Sequence, residues 1–111
     1  MINWIPYTLI GAIVGIEAFG DYHLARFAMA GALSSLFIGY LAYGIILFIF
    51  IYSIREMGLA WSNSAWDGVS NITTNIVAIL FLGEKATFIE YIGMALISSG
   101  LILLGTKGTK A

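Results

Sequence analysis

The sequence contains no cysteine and only one histidine. The lack of cysteine excludes disulfide bonds and thiolate metal sites. With a lone histidine and no cluster of ligating residues, we expect no transition-metal centre and no other cofactor. The net charge is −1 and there is no long basic run, so nucleic acid is not an expected partner.

Charged side chains are also scarce. They make up 10% of the 111 residues, whereas apolar residues make up 60% and the mean hydropathy is +0.96. Soluble domains typically contain about 25% charged and about 45–50% apolar residues. Because this chain could not cover its surface with polar groups, we expect a lipid bilayer to be its main solvent.

Four apolar runs are each long enough for a membrane-crossing helix of roughly 20 residues, the first only marginally. They are Trp4–Gly20, Leu33–Ser53, Leu59–Leu82 and Phe88–Leu104. The segments between them are short, and the first, "GDYHLARF", is interpreted as a break. We therefore predict an all-α fold in which residues 1–111 form a single domain of four transmembrane helices.

Basic residues are divided almost evenly between the two sides of such a bundle. Arg26 and Lys85 would lie on one side, and Arg55, Lys107 and Lys110 on the other. Membrane orientation follows the excess of Lys and Arg, which is slight here. Either the termini are cytoplasmic or the protein inserts in both orientations, and we favour dual topology.

A bundle this small has little interior, so a water-lined cavity would have to be shared by a homodimer. Gly93, Ile97 and Gly100 lie at i, i+4 and i+7, on one stripe of the fourth helix. Small residues let helices approach closely in lipid, so we predict a dimer contact along this stripe. The alternative is that glycine is simply common in membrane helices.

Glu17 interrupts the first apolar run, "LIGAIVGIEAF". A carboxylate at the bilayer centre costs about 2.5–3.5 kcal/mol on insertion scales, so a chain that keeps one usually turns it towards a cavity. Such a side chain can hold a proton or a cation, but hardly both, and could thereby couple their movements. The alternative is a Glu17 that reaches the interface or pairs with Arg26. Asp21, one turn further on, is interpreted as a loop residue at the interface.

The third span carries a polar stripe formed by Asn63, Asp67, Ser70 and Thr74, with Trp66 on its flank. A stripe of this kind indicates the bundle interior or a wet cavity. An alternative remains open, because Ser64 followed by Asp67 resembles a capping box at a helix start.

Two aromatic residues are candidates for the same cavity. Trp66 could offer its ring face to an organic cation, or it could belong to an interfacial belt of aromatic residues. Tyr43, near the middle of the second span, would need a hydrogen-bond partner if buried, and an acid on a neighbouring helix would serve. Packing alone would also explain Tyr43.

Together these features resemble the small multidrug resistance family, proton-coupled exporters of the drug/metabolite transporter superfamily. The resemblance covers essentially the whole chain and rests on "GAIVGIEAFG", "AWDGV", "FLGE" and "GMALISSG". It implies an antiparallel homodimer, often of dual topology, in the inner (plasma) membrane of a prokaryote. It also implies that Glu17 binds cation and proton in turn, that Tyr43 and Trp66 line the pocket, and that Gly93 and Gly100 form the dimer stripe.

Three positions depart from the family pattern. Asn63 stands where the family usually has tyrosine, Asp67 where it has serine or threonine, and Asp21 where a hydroxyl residue is more usual. These changes remove an aromatic wall and add acid. They favour a smaller or more highly charged substrate, such as a guanidinium compound or a polyamine.

The predicted function is proton-coupled antiport that exports small organic cations of quaternary ammonium, guanidinium or polyamine type. One alternative is a flippase-type carrier subunit of the same superfamily, which would need no central acid. Another is a non-transporting structural subunit of a larger membrane complex. An enzyme is not expected, because the sequence contains no nucleophile–base set and no phosphate-binding loop, so no catalytic residue is assigned.

Overall fold

The structure, a computed structural model, describes residues 4–107, and within that range it consists of four α-helices with no strand. They are α1 (Ile5–Ala30), α2 (Leu33–Met57), α3 (Leu59–Phe81) and α4 (Phe88–Lys107). The all-α prediction is confirmed for this part of the chain. Lys110, one of the basic residues weighed for membrane orientation, lies outside it.

The first helix differs most from the predicted spans. It does not end at Gly20 but continues to Ala30, where Gly31, at a φ of +70°, closes it with an N–H donated to the carbonyl of Phe27. The interpretation of Asp21 as a loop residue is therefore wrong. The other three helices begin where their spans were predicted to begin, and α2 and α4 run a few residues further.

Close packing explains why glycine does not break α1. A Cβ added to Gly20 would lie 2.9 Å from the Cβ of Ala42 and 3.6 Å from the carbonyl oxygen of Gly39. The missing side chain thus lets α1 and α2 approach each other closely, and α1 makes its largest contact with α2. Tertiary packing of this kind overrides the weak local preference of glycine against helix.

Three helices share one apolar core. Ile13 of α1, Ile46 of α2 and Ala65 of α3 are buried together, and Trp61 packs against them from α3. α4 contacts only α3 among the described helices. The core therefore lies between α1, α2 and α3, where the polar side chains of the site are also found.

Large apolar side chains cover the outer surface. Phe37 and Phe48 of α2 and Phe88, Ile89 and Leu96 of α4 are among the most exposed. Contiguous apolar surface on this scale is unusual for a soluble monomer. In the described part of the chain, α2 is the one helix that is both long and apolar enough to cross a membrane, and Phe88–Leu101 forms a shorter apolar helical stretch.

Candidate functional site

The Glu17 side chain is buried, with only 8% of its surface exposed. It follows Ile13 and Val14 on α1, whose side chains belong to the apolar core. Its Oε1 accepts a hydrogen bond from the indole Nε1 of Trp66 on α3, at 3.1 Å. Glu17 thus faces the interior of the three-helix cluster, and its partner is Trp66 rather than Arg26, which is exposed.

Trp66 is held from two directions. Its indole N–H is directed to Glu17, and its ring meets Phe50 of α2 edge-on, with ring centroids 4.8 Å apart. An indole with its polar atom bonded and its ring packed has little freedom to reorient. Trp66 therefore orients the Glu17 carboxylate, and it lies at the helix contact rather than alone on the outer surface.

Asp21 is a second carboxylate at the same contact, one helical turn beyond Glu17. Its Oδ1 accepts a hydrogen bond from the hydroxyl of Tyr43 on α2, and its Oδ2 accepts one from Thr74 Oγ1 on α3, at 3.3 Å. Tyr43 also interacts electrostatically with Glu17. The acid that partners the Tyr43 phenol is thus Asp21, which sequence reasoning had left out of the site.

Asp67 does not cap a helix. α3 begins at Leu59 after Gly58, so Asp67 lies well inside the helix and the capping-box interpretation is wrong. Its side chain is exposed and accepts a hydrogen bond from Asn63 Nδ2 at 3.3 Å. Asn63 is exposed as well, so both residues lie on the open side of α3 rather than beside Glu17.

An open cavity of about 400 Å³ joins Asp21 to this side of α3. All its lining residues are polar: Asp21, Asp67, Ser70, Asn71, Thr74 and Asn75. We call this cavity the polar cleft. Three of the four residues of the predicted α3 stripe thus line an open polar cavity, whose lining includes Asp21 but not Glu17.

Neither carboxylate of α1 has a positive partner. In residues 4–107, all the hydrogen-bond donors to Glu17 and Asp21 are neutral, namely Trp66, Tyr43 and Thr74. A charge held in low dielectric without a counter-charge is expensive. For the buried Glu17, a proton or a cation from outside the chain would remove this cost, whereas Asp21 borders the open polar cleft.

The predicted dimer stripe lies away from this site, on α4. A Cβ added to Gly93 or Gly100 would meet no atom within 4 Å, and Ile97 is exposed. By contrast, a Cβ on Gly68 of α3 would lie 3.0 Å from Leu101 of α4. The chain itself thus packs against a different glycine. On α4, Ile97 and Gly100 are exposed, and Gly93 borders a cavity of about 240 Å³ between α3 and α4.

Sequence reasoning found Glu17, Tyr43 and Trp66, which the structure brings together, but it missed Asp21. A signal was present, because Asp21 follows Glu17 by one turn. It was discounted because Gly20 and Asp21 were interpreted as the start of a break. The second span gave no sign of another polar helix contact, the buried hydrogen bond between Ser53 and Ser62, whose Oγ atoms are 2.8 Å apart.

Comparison with known proteins gives two similar relatives. Both are named guanidinium exporter, one from Yersinia pseudotuberculosis and one from Yersinia pestis. Each is 25% identical to this chain over 99 residues, which cover 89% of this chain and 92% of the relative. No family model matches the chain, and no solved structure matches it significantly.

Proposed function

We propose that this chain is a proton-coupled antiporter that exports small organic cations, and not an enzyme. The observation that carries the proposal is the Glu17 carboxylate, nine-tenths buried, bonded to the neutral indole of Trp66 and without a positive partner among the described residues. A proton or a cation neutralises such a group equally well, but the two exclude each other. Glu17 would therefore exchange one for the other.

Trp66 and Tyr43 would shape the cation site around Glu17. The Trp66 N–H fixes one carboxylate oxygen and leaves the other for a ligand. A cation near the indole ring would gain about 0.5–2 kcal/mol from its π face. Asn63 and Asp67, on the open side of α3, would contact the substrate on its way to or from this site.

A guanidinium compound fits this chemistry. Guanidinium is planar, weakly hydrated and presents paired N–H donors that match a carboxylate. The full-length similarity to two proteins named guanidinium exporter supports the same substrate class. Quaternary ammonium compounds and polyamines are further candidates, since a buried carboxylate selects first for positive charge.

The proposal includes a membrane and a second copy of the chain. All four helices would cross the inner membrane of a prokaryote, as supported by the apolar outer surface and by the length of α2. The stripe of Gly93, Ile97 and Gly100 would form the contact between the two copies. With its small charge bias, the protein would insert in both orientations and form an antiparallel homodimer.

In each cycle the dimer would open Glu17 to one side of the membrane at a time. Protonation on one side releases the cation, and deprotonation on the other side readmits one. An empty, charged Glu17 would lack a counter-charge in its buried position, so it would disfavour the change of access. This is what couples the two movements.

Proteoliposomes with a pH gradient and a trapped pH indicator test the proposal. Added guanidinium is expected to cause proton movement in vesicles with the wild-type protein, and none above protein-free vesicles with Glu17→Gln. Glu84→Gln is the matched control, because it removes one exposed carboxylate that does not line the polar cleft. Coupled exchange by Glu17→Gln at the wild-type rate would refute the proposal, and guanidinium movement without protons would refute the coupling.

A further inference from the structure

Two carboxylates lie one turn apart on α1: Glu17 is buried in the packed interior, and Asp21 is half-buried and borders the polar cleft. Their Cα atoms are separated by about 6 Å along the helix axis, since each residue adds about 1.5 Å. Glu17 is bound through Trp66, and Asp21 through Tyr43 and Thr74. The cation site proposed above uses only the first of them.

Among the described residues around Asp21 there is no positive group that would neutralise it. On α1 the nearby imidazole of His23 shares a hydrogen bond with Ser35 of α2, its Nδ1 lying 3.1 Å from the Oγ. From α2 Asp21 meets the phenol of Tyr43, and from α3 it meets Thr74 and, across the polar cleft, another acid, Asp67. Asp21 thus resembles Glu17 in having no counter-charge within the described part of the chain, although it borders the polar cleft.

Asp21 is more than an acceptor for two hydroxyl groups. A carboxylate has about four acceptor positions, and Tyr43 and Thr74 occupy two of them. The remaining capacity is available from the polar cleft, whose hydroxyl and amide side chains are suited to an ammonium group with three donors. A cation end could therefore enter from the cleft and reach Asp21 while another end lies at Glu17.

We propose that Asp21 is a second cation-binding group of the Glu17 site, and that the site prefers a linear dication to a monocation. This inference rests on the proposed function, whose substrate class it narrows. The two charges of the substrate would be about 6 Å apart, the span of a diamine with about four methylene groups. One ammonium group would bind Glu17 and the other Asp21, on the side of the polar cleft.

The preference for two charges can be measured on the wild-type protein alone. The full-length protein in detergent is titrated calorimetrically with 1,4-diaminobutane and with butylamine, which has the same number of carbon atoms and one charge fewer. The diamine is expected to bind at least about tenfold more tightly. Equal affinities would overturn the inference, as would an affinity that is the same for 1,2-diaminoethane and 1,4-diaminobutane.

A variant then assigns the preference to Asp21. Asp21→Asn keeps the shape and one oxygen acceptor, and it should reduce the ratio of diamine to monoamine affinity to less than about threefold. Glu84→Gln, which removes a carboxylate outside the site, should keep the wild-type ratio. A ratio that survives Asp21→Asn would also overturn the inference.

These experiments distinguish a failure of the dication inference from a failure of the proposed export function. If the protein exchanges guanidinium for protons but binds both amines equally well, the dication inference fails and the exporter stands. If neither the amines nor guanidinium bind, both the exporter proposal and the dication inference fail.

Discussion

The first three helices differ from the fourth in how far the chain itself covers their surfaces. α1, α2 and α3 surround a shared core and join their polar side chains across it, from Glu17–Trp66 to the contacts of Asp21. α4 packs on α3 alone among the described helices. Three helices thus build the core and the site, and much of the surface of the fourth is available for contacts outside the chain.

Glycine has a different role in each region. At Gly20 the missing side chain allows α1 and α2 to touch, whereas a Cβ added at Gly93 or Gly100 would have no described atom within 4 Å. Glycine therefore permits a close helix–helix contact in one region, whereas in the other it leaves open space beside the helix. Substitutions at these glycines therefore test whether packing within the chain differs between the two regions.

The largest effect is expected at Gly20. Gly20→Ala places a Cβ 2.9 Å from that of Ala42, so the two helices must separate. Overpacking of this kind costs about 1–3 kcal/mol. Thermal unfolding in detergent, followed by circular dichroism, should show a lowered midpoint.

Gly15→Ala is the matched control for Gly20→Ala. A Cβ at Gly15 meets no atom within 4 Å, so only the better helix propensity of alanine, about 0.5–1 kcal/mol, remains. Its midpoint should stay the same or rise. If both variants unfold alike, the close contact of α1 and α2 is not the source of stability.

A smaller effect is expected at the buried hydrogen bond between Ser53 of α2 and Ser62 of α3. Both side chains are fully buried, so Ser62→Ala leaves the Ser53 hydroxyl without this partner. We expect a loss of about 1 kcal/mol in the free energy of unfolding. The double variant Ser53→Ala/Ser62→Ala should lose less than the sum of the two single variants, and strict additivity would contradict a direct interaction.

The smallest loss of stability is expected on α4. A Cβ at Gly93 meets no atom within 4 Å, so the free energy of unfolding of Gly93→Leu should stay the same or rise by about 0.5–1 kcal/mol, as for Gly15→Ala. Its effect should instead appear in the assembly, as a shift from dimer to monomer in the molar mass measured by light scattering in detergent. A large loss of stability with an unchanged mass would show that α4 packs within its own chain along this stripe.

The burial of Glu17 could be predicted because the evidence for it lies in the neighbouring residues. Glu17 stands in an apolar run, where the free-energy cost of a carboxylate is high and such a residue usually faces a cavity or a partner. Asp21 could not be assigned from the sequence in the same way. Its role depends on α1 continuing through Gly20, which depends in turn on contact with Ala42 of α2. That information lies in the packing of two helices and not in either one.

The capping motif gives the same lesson. Ser64 and Asp67 fit the pattern of a capping box but lie inside α3, whereas Thr87 and Glu90 fit it and form one at the start of α4. The Glu90 carboxylate accepts the N–H of Thr87 at 3.1 Å, and the Thr87 hydroxyl accepts the N–H of Glu90 at 3.2 Å. The capping-box pattern alone does not locate the first residue of a helix. The start of α3 is set instead by Gly58, at a φ of +85°.

The connection between α2 and α3 limits how this molecule can move. A single residue, Gly58, joins the two helices, and the serine pair fastens them again shortly beyond it. Such a short link prevents α2 and α3 from sliding past each other, so the two helices would move together with α1, with which they share the core. The longer segment from Leu82 to Thr87 joins α4 to these three helices, so a change in the angle between α4 and the others would be absorbed there.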